Sequence, residues 1–197
     1  MTRVAAIDCG TNSIRLLVAD GETMGEHITL NDLTRQMRIV RLGQGVDRTG
    51  RLAPEAIERT LAAVREYKRM IDNLGASDIR FVSTSAMRDA ENRQDFIEPV
   101  KELLGVYPEV VPGTEEAALS FAGAASSVHA YDRGKVLVVD IGGGSTEMVV
   151  GTLGKGVDAA YSADMGSVRV TEKFFAGCAS DQPILDGVQA QASEWID

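Results

Sequence analysis

Two stretches decide the reading of this chain: Asp8-Cys9-Gly10-Thr11-Asn12-Ser13 and Asp140-Ile141-Gly142-Gly143-Gly144-Ser145. Both read Asp-x-Gly-x-x-Ser. Each follows a short apolar run, Val4 to Ile7 or Val136 to Val139. Each precedes another, Ile14 to Ala19 or Met148 to Val150. Apolar run, glycine-bearing bend, apolar run predicts strand, tight turn, strand. One glycine-bearing hairpin is ordinary turn chemistry. Two matched copies, 140 − 8 = 132 positions apart, indicate an internal duplication.

The bends point to phosphate chemistry. Gly10, Gly142, Gly143 and Gly144, with Asn12, let backbone N–H groups approach and wrap an anion. Hydroxyls of Thr11, Ser13, Ser145 and Thr146 add donors. An aspartate at the strand end repels phosphate unless a divalent cation or its water shell lies between them. Asp140 and Glu147 stand seven residues apart across the second bend, where a hairpin turns both carboxylates toward one ion. Asp8 holds the matching place in the first half. Two such hairpins facing one another would clamp a phosphate chain from both sides, and that is the expected arrangement.

Composition narrows the alternatives. The chain has 197 residues, 44% of them hydrophobic, and 20 basic against 29 acidic residues give a net charge of −9. This is globular composition. Its acidity argues against nucleic acid as a partner, since such binders neutralise phosphates. No run of 18 apolar residues occurs, so no membrane partner or span is expected. The early acid Asp8 is wrong for a signal-peptide core. Cys9 and Cys178 are the only cysteines, and Cys9 reads as a reduced buried thiol; a cytoplasmic location is expected. His27 and His129 are isolated, and neither CxxC nor HExxH appears, which removes zinc. The remaining metal is a hard, oxygen-bound ion such as Mg²⁺.

Between the bends the pattern alternates. A strand is expected near 26–30, then a loop punctuated by Gly43, Gly45 and Gly50. Pro54 opens a helix with Ile57, Leu61, Val64, Ile71 and Leu74 at helical spacing, and Gly75 closes it. Ile79 to Val82 is a strand. Ser83-Thr84-Ser85 caps a short helix holding Arg88. A helix carries Phe96, Val100, Leu103 and Leu104, with Pro99 against its first half. Tyr107 to Val111 is a strand, and Thr114 caps a helix to about Ala125. Residues 126–135 are polar and read as a boundary. The expected domains are therefore 1–128 and 129–197. Val157 to Ser162 is a third strand of the second half, Ser167 starts a helix, and 184–196 is weakly helical. Phe174, Phe175 and Trp195 read as core or interface, and Arg15 and Arg169 as structural.

The pieces Ala6-Ile7-Asp8-Cys9-Gly10-Thr11-Asn12-Ser13-Ile14-Arg15-Leu16-Leu17, Ser83-Thr84-Ser85-Ala86-Met87-Arg88-Asp89-Ala90, Gly113-Thr114-Glu115-Glu116-Ala117, Asp140 to Glu147 and Met165-Gly166-Ser167-Val168-Arg169 occur in one order across almost the whole chain. In this the chain resembles the exopolyphosphatase/guanosine pentaphosphate phosphohydrolase (Ppx/GppA) family of the actin-like ATPase superfamily. The resemblance implies an α/β fold of two similar ribonuclease-H-like domains, mixed sheets with flanking helices, and a cleft between them. It implies Mg²⁺-dependent release of terminal orthophosphate from inorganic polyphosphate, or of the 5′ γ-phosphate from guanosine pentaphosphate. Within it, the second glutamate of Gly-x-Glu-Glu-Ala, here Glu116, activates the attacking water. Ala118 departs from the arginine that relatives often carry. The chain is also shorter than family members, so the second domain is expected to be incomplete, with exposed apolar surface favouring a homodimer.

Glu116 lies in the first turn of its helix, where the dipole favours an acid whatever its role. The planar guanidinium of Arg88 suits a pair of phosphate oxygens. A kinase or ATPase would need an adenosine pocket that this chain does not display. A polyphosphate- or alarmone-binding fragment without turnover remains the third reading.

Overall fold

The computed structural model describes residues 2–24, 27–126, 134–175 and 193–194. Period-two alternation builds the first sheet. In β1 (Thr2–Cys9), Ala5, Ile7 and Cys9 are buried while Val4, Ala6 and Asp8 face the other way. β1 pairs antiparallel with β2 (Ser13–Met24), and β2 pairs antiparallel with β3 (His27–Ile39). The third strand is thus much longer than the sequence suggests. The loop after it holds one helical turn, α1 (Val46–Thr49).

The chain then crosses over through α2 (Pro54–Leu74) to β4 (Asp78–Ser83), which lies parallel to β1. Pro54 sits at the start of α2, and Gly75 closes it at φ 72°, donating to Ile71 and Asp72 carbonyls. Leu61, Val64 and Ile71 of the expected stripe are buried, and Tyr67 joins them, donating its hydroxyl to the Ile14 carbonyl at 2.9 Å. α3 (Ser85–Asp89) and α4 (Gln94–Leu104) lead to β5 (Glu109–Val110), parallel to β4. Pro99 does not break α4, whose Phe96, Val100 and Leu104 stripe is buried in the core. The sheet order is β3-β2-β1-β4-β5.

The second sheet is a three-stranded meander of β6 (Lys135–Ile141), β7 (Thr146–Thr152) and β8 (Gly156–Ala163). α5 (Gly113–Ala125) covers one face, with Ala117 and Phe121 packed on Val149, Val136 and Val138. Gly151 is required there, because a Cβ would overlap the Phe121 ring. The other face exposes Leu137, Val139, Ile141, Met148 and Tyr161. α6 (Ser167–Phe174) follows.

The chain forms two compact units, Met1–Val111 and Pro112–Asp197. This differs from the boundary expected at 128/129. The reason is α5: it packs on β6, β7 and β8, so it belongs to the second unit although it precedes the polar stretch. The fold class is the expected α/β one, a five-strand mixed sheet with flanking helices followed by a second, smaller sheet. No helix among the described residues is long and apolar enough to cross a membrane. His129, Cys178, Trp195 and most of the weak helix expected over 184–196 lie outside the described residues.

Candidate active site

Both bends close identically. Gly10 N–H donates to the Ser13 carbonyl at 2.9 Å, and Gly142 N–H donates to the Ser145 carbonyl at 2.9 Å. In each, the segment after the third strand runs against the bend and satisfies its carbonyls. Val40 and Arg41 N–H groups donate to the Asn12 carbonyl, and Gly43 N–H to that of Thr11. Arg41 takes the uncommon positive φ of 49° as the chain turns there. In the second unit Ser167 N–H donates to Gly142, and Val168 and Arg169 N–H groups to Gly143. The Arg169 guanidinium donates through Nε to the Gly144 carbonyl at 2.8 Å.

The consequence is electrostatic. With carbonyls tied back, the bend presents N–H groups. The amides of Thr11, Asn12, Gly143 and Gly144 donate to no backbone carbonyl outside regular structure among the described residues. Concave backbone with free N–H groups is an anion site. Two glycines to which the sequence reading gave no role at the bends make this possible. A Cβ on Gly43 would overlap the Thr11 methyl, and one on Gly166 would overlap the Gly143 backbone. Their signal was a glycine shortly after each third strand, visible only once those strands are placed.

Thr11 is buried, and its hydroxyl shares a 2.7 Å hydrogen bond with that of Ser85. Ser85 therefore ties the first bend to α3 instead of capping it; α3 has no side-chain cap. Nor does α5, which begins at Gly113 after Pro112, one residue before the expected Thr114 cap. Arg88, half-buried on α3, donates to the Val111 carbonyl at 2.9 Å, which fixes one side of its guanidinium. Asp8 stands opposite Arg15 in register, with an ion pair at 3.5 Å. Cys9, next to it, is buried; burial and then the Asp8 charge push its thiol far above the ordinary range, so it stays protonated.

In the second unit the residue opposite Asp140 is not a base but Glu147. Directly opposed strand residues project to the same face. Glu147 is 1% exposed. Ser162 donates to its Oε1 at 2.8 Å, and Ser120 donates to Asp140 Oδ2 at 2.7 Å. No cationic side chain among the described residues pairs with either carboxylate. Glu116 is half-buried on α5, one turn before Ser120 and on the same helical face. The second unit therefore gathers Glu116, Asp140, Glu147 and the Gly142–Thr146 bend. The first gathers Asp8, the Gly10–Ser13 bend and the helix of Arg88. Ser145 and Thr146 are buried, and the Thr146 hydroxyl donates to the Met165 carbonyl, so Thr146 braces the bend. No group of three or more His, Cys, Asp or Glu poised for a metal occurs among the described residues. An ion held by these two carboxylates alone would complete its shell with water and ligand.

Comparison with known proteins agrees with this anatomy. The Ppx/GppA phosphatase family matches residues 18–196. The chain is 50% identical over 196 residues to Exopolyphosphatase 2 of Mycobacterium tuberculosis, covering 95% of this chain and 59% of that protein. Among solved structures, an exopolyphosphatase-like protein superposes with a TM-score of 0.88 at 44% identity, covering 100% of this chain and 59% of that one. The Aquifex aeolicus Ppx/GppA family member gives a TM-score of 0.74 at 34% identity, covering 99% and 60%. The chain thus spans about three-fifths of the length of these relatives. A family match over residues 18–196, far more than half of the chain, makes this chain a member of the Ppx/GppA phosphatase family.

Proposed function

We propose that this chain carries the machinery of a phosphoanhydride hydrolase that releases terminal orthophosphate from inorganic polyphosphate. One observation supports it most: the Ser120–Asp140 bond draws α5, and with it Glu116, onto the hairpin that opposes Asp140 and Glu147. Membership of the family supports phosphatase chemistry, and a relative named Exopolyphosphatase 2 favours polyphosphate over guanosine pentaphosphate.

The residues divide the work. In each unit the backbone N–H groups of the bend, Thr11 and Asn12 in the first and Gly143 and Gly144 in the second, are the donors for phosphate oxygens, and Arg88 adds charge in the first. Glu116 orients a water for in-line attack at the terminal phosphorus and accepts its proton, while the shortened chain leaves as the other product. Asp140 and Glu147 fit Mg²⁺: two opposed carboxylates, one nearly fully buried, without a paired cation among the described residues. Asp8 is the outer candidate, already paired with Arg15. When bound, the cation neutralises developing phosphate charge. The protein acts in the cytoplasm and as a homodimer in this reading, the exposed apolar face of β6, β7 and β8 being the surface that favours association.

The test is orthophosphate release from short polyphosphate, long polyphosphate and guanosine pentaphosphate, side by side. Release should require a divalent cation, stop with chelator, and fall about a hundredfold to ten-thousandfold in Glu116→Ala. Turnover unchanged in that variant rejects Glu116 as the base. Turnover of guanosine pentaphosphate alone moves the assignment to the alarmone. Phosphate binding with no turnover of any substrate makes the chain a binding module.

A further inference from the structure

Two serines given no chemical role in the reading above touch the acidic pair. Ser120 donates to Asp140 Oδ2 at 2.7 Å from α5, and Ser162 donates to Glu147 Oε1 at 2.8 Å from β8. Each bond engages one oxygen of its carboxylate, and no second side-chain donor to either carboxylate occurs among the described residues. The two donors come from different elements on one face of the hairpin: one from the helix above it, one from the strand beside it. The second is itself held in place. A Cβ on Gly113 would stand 2.6 Å from Ser162 Oγ, so α5 begins with a bare glycine pressed against this hydroxyl. Neither hydroxyl serves as a helix cap. Carboxylates that bind a metal are aimed by the groups that hold their second oxygen. Serine hydroxyls do this without neutralising the charge, whereas arginine or lysine would compete with the ion.

We propose that Ser120 and Ser162 are positioning residues for a divalent cation at Asp140 and Glu147. This rests on the cation reading given under the proposed function. Ser120 has a second consequence. Because it shares a helical face with Glu116, its bond to Asp140 sets the distance between the base and the cation. Movement of the ion and movement of α5 are one motion.

The experiment measures Mn²⁺ binding by electron paramagnetic resonance on the 197-residue chain, without substrate. Ser120→Ala and Ser162→Ala should each weaken binding about tenfold to a hundredfold, and Asp140→Asn should abolish it. Thermal unfolding in chelator checks that each variant is folded. Should an alanine variant fail to fold, the shape-matched pair Ser120→Thr and Ser120→Val decides. The threonine variant should bind like the parent, and the valine variant about tenfold or more weakly; equal affinities overturn the proposal. If both alanine variants bind Mn²⁺ like the parent while Asp140→Asn does not, the serines have no positioning role and the cation site stands. If Asp140→Asn also binds like the parent, the cation reading itself is wrong.

Discussion

The two hairpins share a frame and differ in charge. Gly10–Ser13 and Gly142–Ser145 close through the same hydrogen bond, and both have carbonyls tied by the segment that leaves the third strand. Opposite the leading aspartate, however, the first hairpin carries Arg15 and the second Glu147. The first acid is neutralised at a half-exposed site. The second faces another acid, itself buried. The two hairpins repeat one backbone frame, and the residue opposite the aspartate is what sets them apart. In the proposed reading the first holds an anion alone and the second needs a cation as well.

The largest effect should come from Glu147→Gln, which removes charge and keeps shape. Divalent-dependent phosphate release should fall about a hundredfold or more. Melting temperature in chelator should hold or rise, because an uncompensated buried charge is costly. A marked fall in stability there would mean Glu147 is a structural acid and would erase the contrast.

Next comes the glycine pair. Gly166→Ala sets a methyl into the Gly143 backbone, whereas Gly43→Ala meets only side-chain atoms, those of Thr11 and Ala86. Backbone cannot yield as a methyl can. Gly166→Ala should cost about 1–3 kcal/mol and lower activity sharply, with Gly43→Ala the milder on both counts. Thermal melts and phosphate release from the two variants read this directly. Equal losses would show the two supports to be alike in stiffness.

Arg15→Gln should change stability by no more than about 1 kcal/mol, since both partners of that ion pair are half-exposed. Mn²⁺ affinity should be unmoved. A large gain in cation binding would mean that Arg15 alone keeps the first hairpin from becoming a metal site.

The smallest effect is in acid. Arg3 donates to both oxygens of Asp20 and to the Leu74 carbonyl, joining β1, β2 and α2. The guanidinium's hydrogen bonds hold the Asp20 carboxyl below the usual aspartate range. A depressed carboxylate contributes stability above its unfolded value, about 3.9, and loses that contribution as pH falls through the lower folded value. Arg3→Met should therefore be less stable than the parent at neutral pH. The gap should narrow below about pH 3.9. Urea unfolding at several pH values tests this; a gap independent of pH would assign Arg3 to packing alone.

The hairpins were legible because Asp-x-Gly-x-x-Ser is a local pattern, and the α2 stripe because burial there follows one helix's own period. What faced Asp140 could be guessed from spacing across the turn, since a tight bend fixes register. The allegiance of α5 could not. Its apolar positions, Ala117 and Phe121, state that a face is buried but not against which sheet. Ser120 and Ser162 were invisible for the same reason: each acts on a residue 15 or 20 positions away, across the fold. Thr114 and Ser83 to Ser85 misled because they fit a cap's composition, while the helices start elsewhere or spend the hydroxyl on a neighbouring bend.

The second and third strands slip register between Val18 and Ala19 in the first sheet and between Val150 and Gly151 in the other. Those are matching places, 132 residues apart. Such a bulge absorbs an extra residue and adds local twist. Most of the surplus length of β3 over β8 lies on its far side, away from the bend. The kink therefore acts as a firebreak. Loops lengthened, trimmed or decorated at the distal tip of either meander should leave the bend end unchanged.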